Sequence, residues 1–345
     1  MTSRTLRPVV ECLLAAALFG ASTPAAKALL APMGPLTLAG LLYLGAAAGS
    51  AFWALRERAT VRRADRRNWL WLGGAILFGG GLGPALLMWG LVTAPAASAA
   101  LWLNLESVAT ALLGWAFFRE HLSGRTWLAS ALVCGASVLL ASPSAFALAP
   151  AALLVLLACI CWGLDNSFTA LIDRFTPAQS TFAKGLVAGT VNLLLGLWLH
   201  GAVPEARAVG GALLVGLFSY GLSMVLYISG AQQLGATRAQ MVFATAPFWG
   251  VLIAWAAMGE PLAAVQLAGG GLMAGALWLM QSEHHAHLHT HAATRHTHLH
   301  RHDDEHHTHA HPGLPAGRWH RHEHTHEPLT HGGPHRPDLH HRHEH

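Results

Sequence analysis

Continuous apolar stretches of about 20 residues, long enough to cross a bilayer as helices, follow one another along most of the chain. Short polar segments separate them. The strands of a membrane barrel would instead alternate apolar and polar residues. The pattern therefore predicts an all-α integral membrane protein with ten transmembrane helices. We expect these helices at about 8–30, 35–55, 69–91, 95–117, 125–142, 149–171, 177–199, 209–230, 237–258 and 262–281.

The chain also contains an internal duplication. Residues 93–142 and 234–282 fall into register when the numbering is shifted by 140. The coincident pairs are Trp115 and Trp255, Glu120 and Glu260, Leu122 and Leu262, Gly135 and Gly275, Ala136 and Ala276, and Ser142 and Ser282. Since each half holds five spans, the second half must enter the membrane from the opposite side, which gives an inverted repeat suited to alternating access. We expect a first five-helix repeat at 1–143, a second at 144–282 and a tail at 283–345.

Arginine predicts the orientation of the chain. The segment 56–68 alone carries Arg56, Arg58, Arg62, Arg63, Arg66 and Arg67, and further even-numbered loops carry Arg119, Arg125, Arg174 and Arg238. Odd-numbered loops are nearly free of Lys and Arg, with Arg207 as the main exception. Because positive residues stay in the cytoplasm, we expect both termini to be cytoplasmic. The expected location of this multi-pass protein is a bacterial cytoplasmic (inner) membrane.

Composition excludes several classes of function. Hydrophobic residues make up 53% of the chain and charged residues 11%, whereas soluble domains carry about 25% charged residues. The basic residues follow the topology, so nothing indicates a nucleic-acid partner. The chain has no Ser/His/Asp or Cys/His arrangement and no phosphate-binding loop, so we expect neither an enzyme nor an ATP-driven pump.

Glu106 is the first candidate functional residue, because it lies in the middle of the fourth predicted span. A charge at that depth costs at least about 2.5–3.5 kcal/mol, so the carboxyl group needs a partner or a proton. It suits a proton-coupling group or a cation ligand; the alternative is a permanently protonated carboxyl that joins two helices. Thr110 at i+4 shares its side of the helix, while Asn104 faces elsewhere.

Asp165, Asn166 and Lys184 form a second candidate group. Asp165 and Lys184 are expected at similar depth on neighbouring helices, where they can form an ion pair. Such a pair would be a gate, a site for a substrate carboxylate or a structural link between helices. Trp102 and Trp162 lie far enough from the span ends to line a cavity.

The tail after residue 283 holds all but two of the 25 histidines and almost no apolar residues. It is therefore predicted to be disordered. Repeated His-x-His spacing puts imidazoles on one side of an extended chain, where they suit Zn²⁺, Ni²⁺, Co²⁺ or Cu²⁺, and binding should weaken below about pH 6.5 as the imidazoles gain protons. The candidate ligands are His285, His287, His289, His291, His296, His298, His300, His302, His307, His309, His311, His320, His322, His324 and His326.

Several motifs resemble those of a known family. FGASTPAAK at 19–27 is echoed by WGLDNSFTA at 162–170, and the repeats end in FFRE at 117–120 and MGE at 258–260. Together with the duplicated five-helix units, these motifs resemble the EamA family of the drug/metabolite transporter superfamily. The resemblance covers about residues 8–282 and implies ten helices, cytoplasmic ends and secondary transport or export of amino acids, metabolites or drugs. One departure is Ser107, preceded by Glu106, at a position where such proteins usually carry a mid-helix proline.

Two main hypotheses for function follow. The first is a secondary active exporter of small metabolites or amino-acid-like compounds, which needs no cofactor and has a small-molecule substrate and the lipid bilayer as partners. The second is a transition-metal transporter, or a metal-regulated one, fed by the histidine tail. No span offers several His, Asp or Glu ligands at one depth, which disfavours the second hypothesis. The sequence leaves open a non-transporting metal sensor or store, and also a homodimer.

Overall fold

The structure is a computed structural model. It describes the residues 3–57, 66–118, 124–141, 145–172, 174–200, 204–227, 242–281, 285–291, 294–300, 320–326 and 329–335. Among the described residues that precede the tail, all regular secondary structure is helical. The α-helices are α1 Ser3–Gly20, α2 Ser22–Leu29, α3 Pro35–Arg56, α4 Arg66–Ala75, α5 Gly83–Thr93, α6 Ala96–Trp102, α7 Leu105–Phe118, α8 Gly124–Ala141, α9 Ala145–Ala170, α10 Pro177–His200, α11 Ala206–Val215, α12 Ala246–Met258 and α13 Ala264–Gln281. Two π-helical segments, π1 Ile76–Leu82 and π2 Gly216–Leu222, continue α4 and α11.

Seven helical stretches of the described residues are long and apolar enough to cross a membrane. They are Pro8–Leu29, Pro35–Arg56, Arg66–Thr93, Ala96–Ala116, Pro150–Thr169, Pro177–Leu199 and Ala206–Tyr227. Their ends agree with the predicted spans to within three residues. Three further apolar helices, Trp127–Leu139, Ala246–Met258 and Ala264–Ala276, are shorter than a full span. The structure therefore confirms the all-helical membrane class.

Helices α3 and α10 pack closely and run antiparallel. Gly40 of α3 lies against Gly189 and Leu193 of α10, while Gly185 lies against Tyr43 and Ala47. At each of these glycines an added methyl group would overlap the backbone of the partner helix. The absence of side chains lets the two backbones approach closely, which is the packing device of small residues between membrane helices.

The offset of 140 residues extends to the elements of the fold. Helix α11 and π2 begin and end 140 positions after α4 and π1, and α13 does the same relative to α8. Each π-segment packs on helices of the other repeat. Segment π1 packs on α9 and α10, while π2 packs on α1 and α3. Helix α8 packs on its own counterpart α13. The chain thus folds as two repeats whose equivalent elements lie against each other.

A hydrogen-bonded cap joins the two repeats at the end of the bundle where α3 ends, which we call the arginine end. Thr176 and Gln179 form a reciprocal capping box at the start of α10, with N–O distances of 3.1 and 3.2 Å. The amide Nε2 of Gln179 then donates to the carbonyl of Glu57, just after α3, at 2.8 Å. The Gln179 side chain thereby provides hydrogen-bond partners for backbone groups at the start of α10 and at the end of α3.

The tail differs from the disordered segment that the sequence predicts. Four strands are present, β1 His285–His291, β2 Thr294–His300, β3 His320–His326 and β4 Leu329–His335. They pair antiparallel, β1 with β4 and β2 with β3. Backbone pairing satisfies the strands without a hydrophobic core, a possibility that the apolar content did not reveal. The candidate ligands His302, His307, His309 and His311 lie outside the described residues.

Candidate functional site

Glu106 lies at the start of a helix rather than in the middle of one. Helix α6 ends at Trp102, and a turn at 103–104 precedes α7. In this turn the amide of Glu106 donates to Leu103 and that of Ser107 to Asn104, so the backbone tightens to i→i−3 bonding. A similar turn precedes α12, near the equivalent position of the second repeat. A carboxylate in the first turn of a helix interacts favourably with the helix dipole.

An amide from the other repeat bonds the Glu106 carboxyl. Asn166 of α9 donates through Nδ2 to Oε1 of Glu106 at 3.0 Å and to Oγ1 of Thr110 at 3.2 Å. Glu106 and Thr110 are half-buried, and Asn166 keeps an exposed part. Glu106 and Thr110 therefore lie on one side of α7, where a single amide bonds both. This group joins α7 to α9.

The residue before Asn166 belongs to the ion pair that the sequence predicts. Lys184 Nζ of α10 lies 2.8 Å from Oδ2 and 3.0 Å from Oδ1 of Asp165. The Thr169 hydroxyl donates to the same Oδ1 at 3.0 Å. The side chains of Lys184 and Asp165 are only 16% and 11% exposed. Both charges are therefore compensated within the bundle, and the consecutive residues Asp165 and Asn166 connect the pair to Glu106.

The glycines of π1 accept hydrogen bonds from α9 and α10 and connect this group to one further helix, α3. The carbonyl of Gly79 accepts bonds from the Tyr43 hydroxyl at 2.6 Å and from the Trp162 indole at 3.1 Å. Asn192 donates to the carbonyl of Gly81 at 3.1 Å. A methyl group added at Gly79 would overlap the Asp165 carboxylate. A π-turn leaves carbonyls available for such outside donors, and π-bulges occur often at functional sites.

All three tyrosines of the chain belong to one row of aromatic rings. Tyr43 packs on Tyr220 at a centroid distance of 5.7 Å, and Tyr220 packs on Phe19 at 5.6 Å. Phe243 continues the row, 5.4 Å from Phe19 and 4.8 Å from Tyr227. The Tyr43 hydroxyl donates to the carbonyl of Gly79, which lies against the Asp165 carboxylate. The row is therefore one wall of the same site, and we call it the aromatic wall.

Two of the candidate residues, Trp102 and Asn104, are buried beside the turn instead of facing the site. Trp102, expected to line a cavity, is only 1% exposed and donates to the Ser137 carbonyl at 3.3 Å. Its burial follows from the end of α6, where the ring packs into the hydrophobic core instead of lining a space. Asn104 is buried as well and donates to the Leu101 carbonyl at 3.0 Å. Both residues hold the turn that precedes Glu106.

A second polar group lies at the opposite end of the bundle from the arginine end, which we call the far end. The Glu260 carboxylate accepts bonds from the amides of Ala96 and Ala97, at 3.0 and 3.1 Å, and caps α6. Lys27 donates to the carbonyls of Leu91 and Val92, at the end of α5. The negative charge of Glu260 therefore stabilises the start of α6, and the positive charge of Lys27 stabilises the end of α5, the helix that precedes it.

The described helices show no cluster of side chains suited to a transition metal. Among the residues that the structure describes, no group of three or more His, Cys, Asp or Glu side chains could hold a metal ion. The two carboxylates of the site are bonded to Lys184 and Asn166 instead.

Sequence reasoning missed Tyr43, Tyr220 and the role of Gly79. One signal was available: tyrosine is rare in this chain and normally marks the membrane interface, yet Tyr43 and Tyr220 lie well inside their spans. The carbonyl role of Gly79 had no such signal, because a glycine-rich stretch reads equally well as ordinary helix packing.

Comparisons with known proteins agree on the class of protein. A family model of EamA-like transporters matches residues 7–142 and 149–281. An "Uncharacterized transporter" of Methanothermobacter thermautotrophicus is 25% identical over 302 residues, which cover 80% of this chain and 87% of that one. The "Uncharacterized transporter YoaV" of Bacillus subtilis is 30% identical over 114 residues, which cover 32% and 39%. A protein of known crystal structure shares the fold at a TM-score of 0.57 and 17% identity, over 81% of this chain and 95% of the other.

Proposed function

Because the chain belongs to the EamA-like transporter family, we propose that it is a secondary active exporter of small metabolites or amino-acid-like compounds that works by alternating access. The observation that carries this proposal is the polar group inside the bundle. Glu106 and Gly79 come from the first repeat, and Asp165, Asn166 and Lys184 from the second. A site built between two repeats becomes accessible from opposite sides when the repeats move against each other.

The proposed architecture is an inverted repeat of ten helices in two units, at 1–143 and 144–282, which suits alternating access. The antiparallel contact of α3 with α10 supports this arrangement, since these two helices are counterparts. The exchanged contacts of π1 and π2 support it as well. With the arginine end in the cytoplasm, both termini are cytoplasmic and the far end faces outwards from a bacterial cytoplasmic membrane.

Each site residue has a proposed role. Glu106 is the coupling group, which binds a proton or the substrate, and Asn166 orients its carboxyl group. The Lys184–Asp165 pair links α9 to α10 and fixes the second carboxylate. Trp162 fixes the π1 carbonyl next to the site, while Trp102 and Asn104 hold the turn before Glu106.

Exchange by the full-length protein in proteoliposomes tests the function. Vesicles preloaded with one unlabelled compound are offered the same labelled compound, for a panel of amino acids, amines, sugars and nucleosides. We expect saturable exchange of at least one of them, accelerated by a pH gradient, and a loss of about tenfold or more with Glu106→Gln. The exposed Glu205→Gln serves as the control with unchanged exchange. A monodisperse, reconstituted protein that exchanges no compound under any gradient contradicts the proposal.

The tail is proposed as an accessory metal-binding segment rather than a part of the transport path. In the paired strands, His296, His298 and His300 lie opposite His324, His322 and His320. Residues at alternate positions of a strand share one face, and directly opposed residues share the same face, so this register brings imidazole-bearing positions together. Neutral imidazole suits Zn²⁺, Ni²⁺, Co²⁺ and Cu²⁺.

Equilibrium dialysis against zinc tests the tail. The full chain at pH 7.5 should retain zinc, and a chain ending at Ser282 should not. Because the ligand is the neutral imidazole, the bound zinc should fall as the pH drops below about 6.5. Equal zinc content in both chains would contradict metal binding by the tail, and it would leave the transport proposal unaffected.

A further inference from the structure

The charges of the central site do not balance. Within it, Lys184 is the cation that reaches a carboxylate among the described residues, and it is bonded to Asp165 through both oxygens. Glu106 is bonded to a neutral amide. Two carboxylates therefore face one ammonium group, and the site is short of one positive charge when Glu106 is ionised. Since an uncompensated charge inside a membrane is costly, a proton or a bound cation must supply it.

The ammonium group that could bind a substrate carboxylate is already paired with Asp165. An amino acid would need to present its carboxylate to Lys184, the ammonium group within the site. Asp165 holds that group at 2.8 and 3.0 Å, and Thr169 fixes the carboxylate from its other side. A second anion would have to break this pair. The site thus offers a position for a cation and none for an anion.

The aromatic wall lies next to the position for a cation. Phe19, Tyr43 and Tyr220 come from α1, α3 and π2, and each ring is only half-buried although it lies near the middle of its span. The Tyr43 hydroxyl donates to the carbonyl of Gly79, and Gly79 lies directly against the Asp165 carboxylate, so the wall adjoins the carboxylate group of the site. The faces of aromatic rings attract cations, and ammonium ligands are commonly recognised by aromatic side chains beside an acid.

We propose that the substrate is a monovalent organic cation, an amine with an apolar or aromatic body and no carboxylate. This inference rests on the proposed function and specifies its substrate class. The ammonium group binds at Glu106 and the body packs on the aromatic wall. One positive charge neutralises the site, so the amine and a proton on Glu106 exclude each other. The other titratable groups around Glu106 are Asp165, Lys184, Cys159 and Tyr43.

Four probes of similar shape separate this inference from its alternatives. They are 2-phenylethylamine, phenylalanine, 3-phenylpropionate and 2-phenylethanol, which carry a cation, a zwitterion, an anion and no charge. Binding to the detergent-solubilised full-length protein is measured by calorimetry in two buffers of different ionisation enthalpy. We expect the amine to bind at least about tenfold more tightly than each of the other three. At a pH where Glu106 is protonated, its binding should release up to one proton.

Variants assign the effect to Glu106. Glu106→Gln should lose about tenfold or more in affinity for the amine and should release no proton. Glu106→Asp keeps the charge and should retain proton release, which guards against a variant that merely fails to fold. Glu205→Gln should behave as the native protein.

The outcomes distinguish the inference from the proposed function. If phenylalanine binds as tightly as 2-phenylethylamine, or if amine binding releases no proton at any pH, the cation inference is wrong. Exchange of amino acids in proteoliposomes would still support the transporter in that case. If the amine binds with proton release but no panel compound crosses the vesicle membrane, the substrate class stands as a ligand and the transport proposal falls.

Discussion

Gly79 shows how a single residue fixes the geometry of the site. Its carbonyl accepts two side-chain bonds, and its α-carbon leaves no room for a methyl group beside Asp165. The Lys184–Asp165 pair can therefore lie directly against π1. A buried pair of this kind is sensitive to its surroundings, because displacing one partner leaves the other charge uncompensated.

Gly79→Ala should destabilise the protein by about 1–3 kcal/mol, because the new methyl group must push the Asp165 carboxylate away from Lys184. Thermal unfolding in detergent measures the effect. Gly73→Ala, in α4, is the matched control, since nothing lies within 4 Å of the methyl group there. The control should be neutral or slightly stabilising, as expected for Gly→Ala in a helix. Equal midpoints for the two variants would show that Asp165 does not pack on Gly79.

Asn166→Ala should separate orientation from charge. The variant removes the donor to Glu106 and Thr110 but keeps every charge of the site. We expect exchange to slow by about threefold to tenfold, because the Glu106 carboxyl loses the hydrogen bond that orients it while keeping its charge. Exchange of a labelled compound in proteoliposomes at a single pH measures the loss. Exchange at the native rate would mean that the bond between Asn166 and Glu106 does not form in the membrane.

Much of this site could be predicted from residue type and depth. An acid, an ion pair and an amide in the middle of apolar spans are costly, so Glu106, Asp165, Asn166 and Lys184 were conspicuous in the sequence. The bond from Asn166 to Glu106 joins positions 60 residues apart and depends on how α7 packs on α9. Periodicity within one helix carries no information about such a contact.

At the scale of elements, apolar length predicted the helices well but concealed their irregularities. The span 69–91 reads as one helix, yet it contains π1, and the span 95–117 contains the turn before Glu106. Pro84 follows π1, but Met224 occupies the equivalent position after π2. Proline therefore does not explain both π-segments. Their shared feature is the close packing of glycines, at Gly79 and at Gly216, against the other repeat.

The cap of α10 by Thr176 and Gln179, which also bonds Glu57, can be tested by substitution. Gln179→Ala should cost about 1–2 kcal/mol, because it removes both the bond from the Thr176 amide and the bond to the Glu57 carbonyl. The control is Thr190→Ala, whose hydroxyl bonds only within its own helix. Chemical denaturation in mixed micelles compares the two. If Gln179→Ala is as stable as the control, the cap contributes nothing between the repeats.

Glu260→Gln tests the cap at the far end. The carboxylate accepts two amide bonds at the start of α6, and the neutral amide of Gln can replace only one of them. We expect a loss of about 0.5–2 kcal/mol in stability, typical of helix caps. Glu205→Ala is the comparison, because Glu205 precedes α11 without a side-chain cap bond. A loss of similar size in both variants would argue against the cap.

At the scale of the whole molecule, the duplication was readable from the sequence, whereas the relation between the repeats was not. The offset of 140 appears in residues of the last two spans of each half and recurs in the ends of α4, α8, α11 and α13. The contacts of α3 with α10 and the exchange between π1 and π2 needed the fold. Glu106 and Lys184 have no charged counterparts at the shifted positions Ala246 and Leu44. A nearly symmetrical framework thus carries an asymmetrical site.

The central claim is that this asymmetrical site is reached from both sides of the membrane, and the accessibility of one cysteine tests it most directly. In a variant lacking Cys12, Cys134, Cys159 and Cys161, Thr110→Cys places a thiol beside Glu106 and Asn166. Val108→Cys, on the same helix but only 4% exposed, is the control. A membrane-impermeant maleimide should label Thr110→Cys from either side of oriented vesicles, and Val108→Cys from neither. Labelling of Thr110→Cys from one side only, under every gradient, would contradict alternating access.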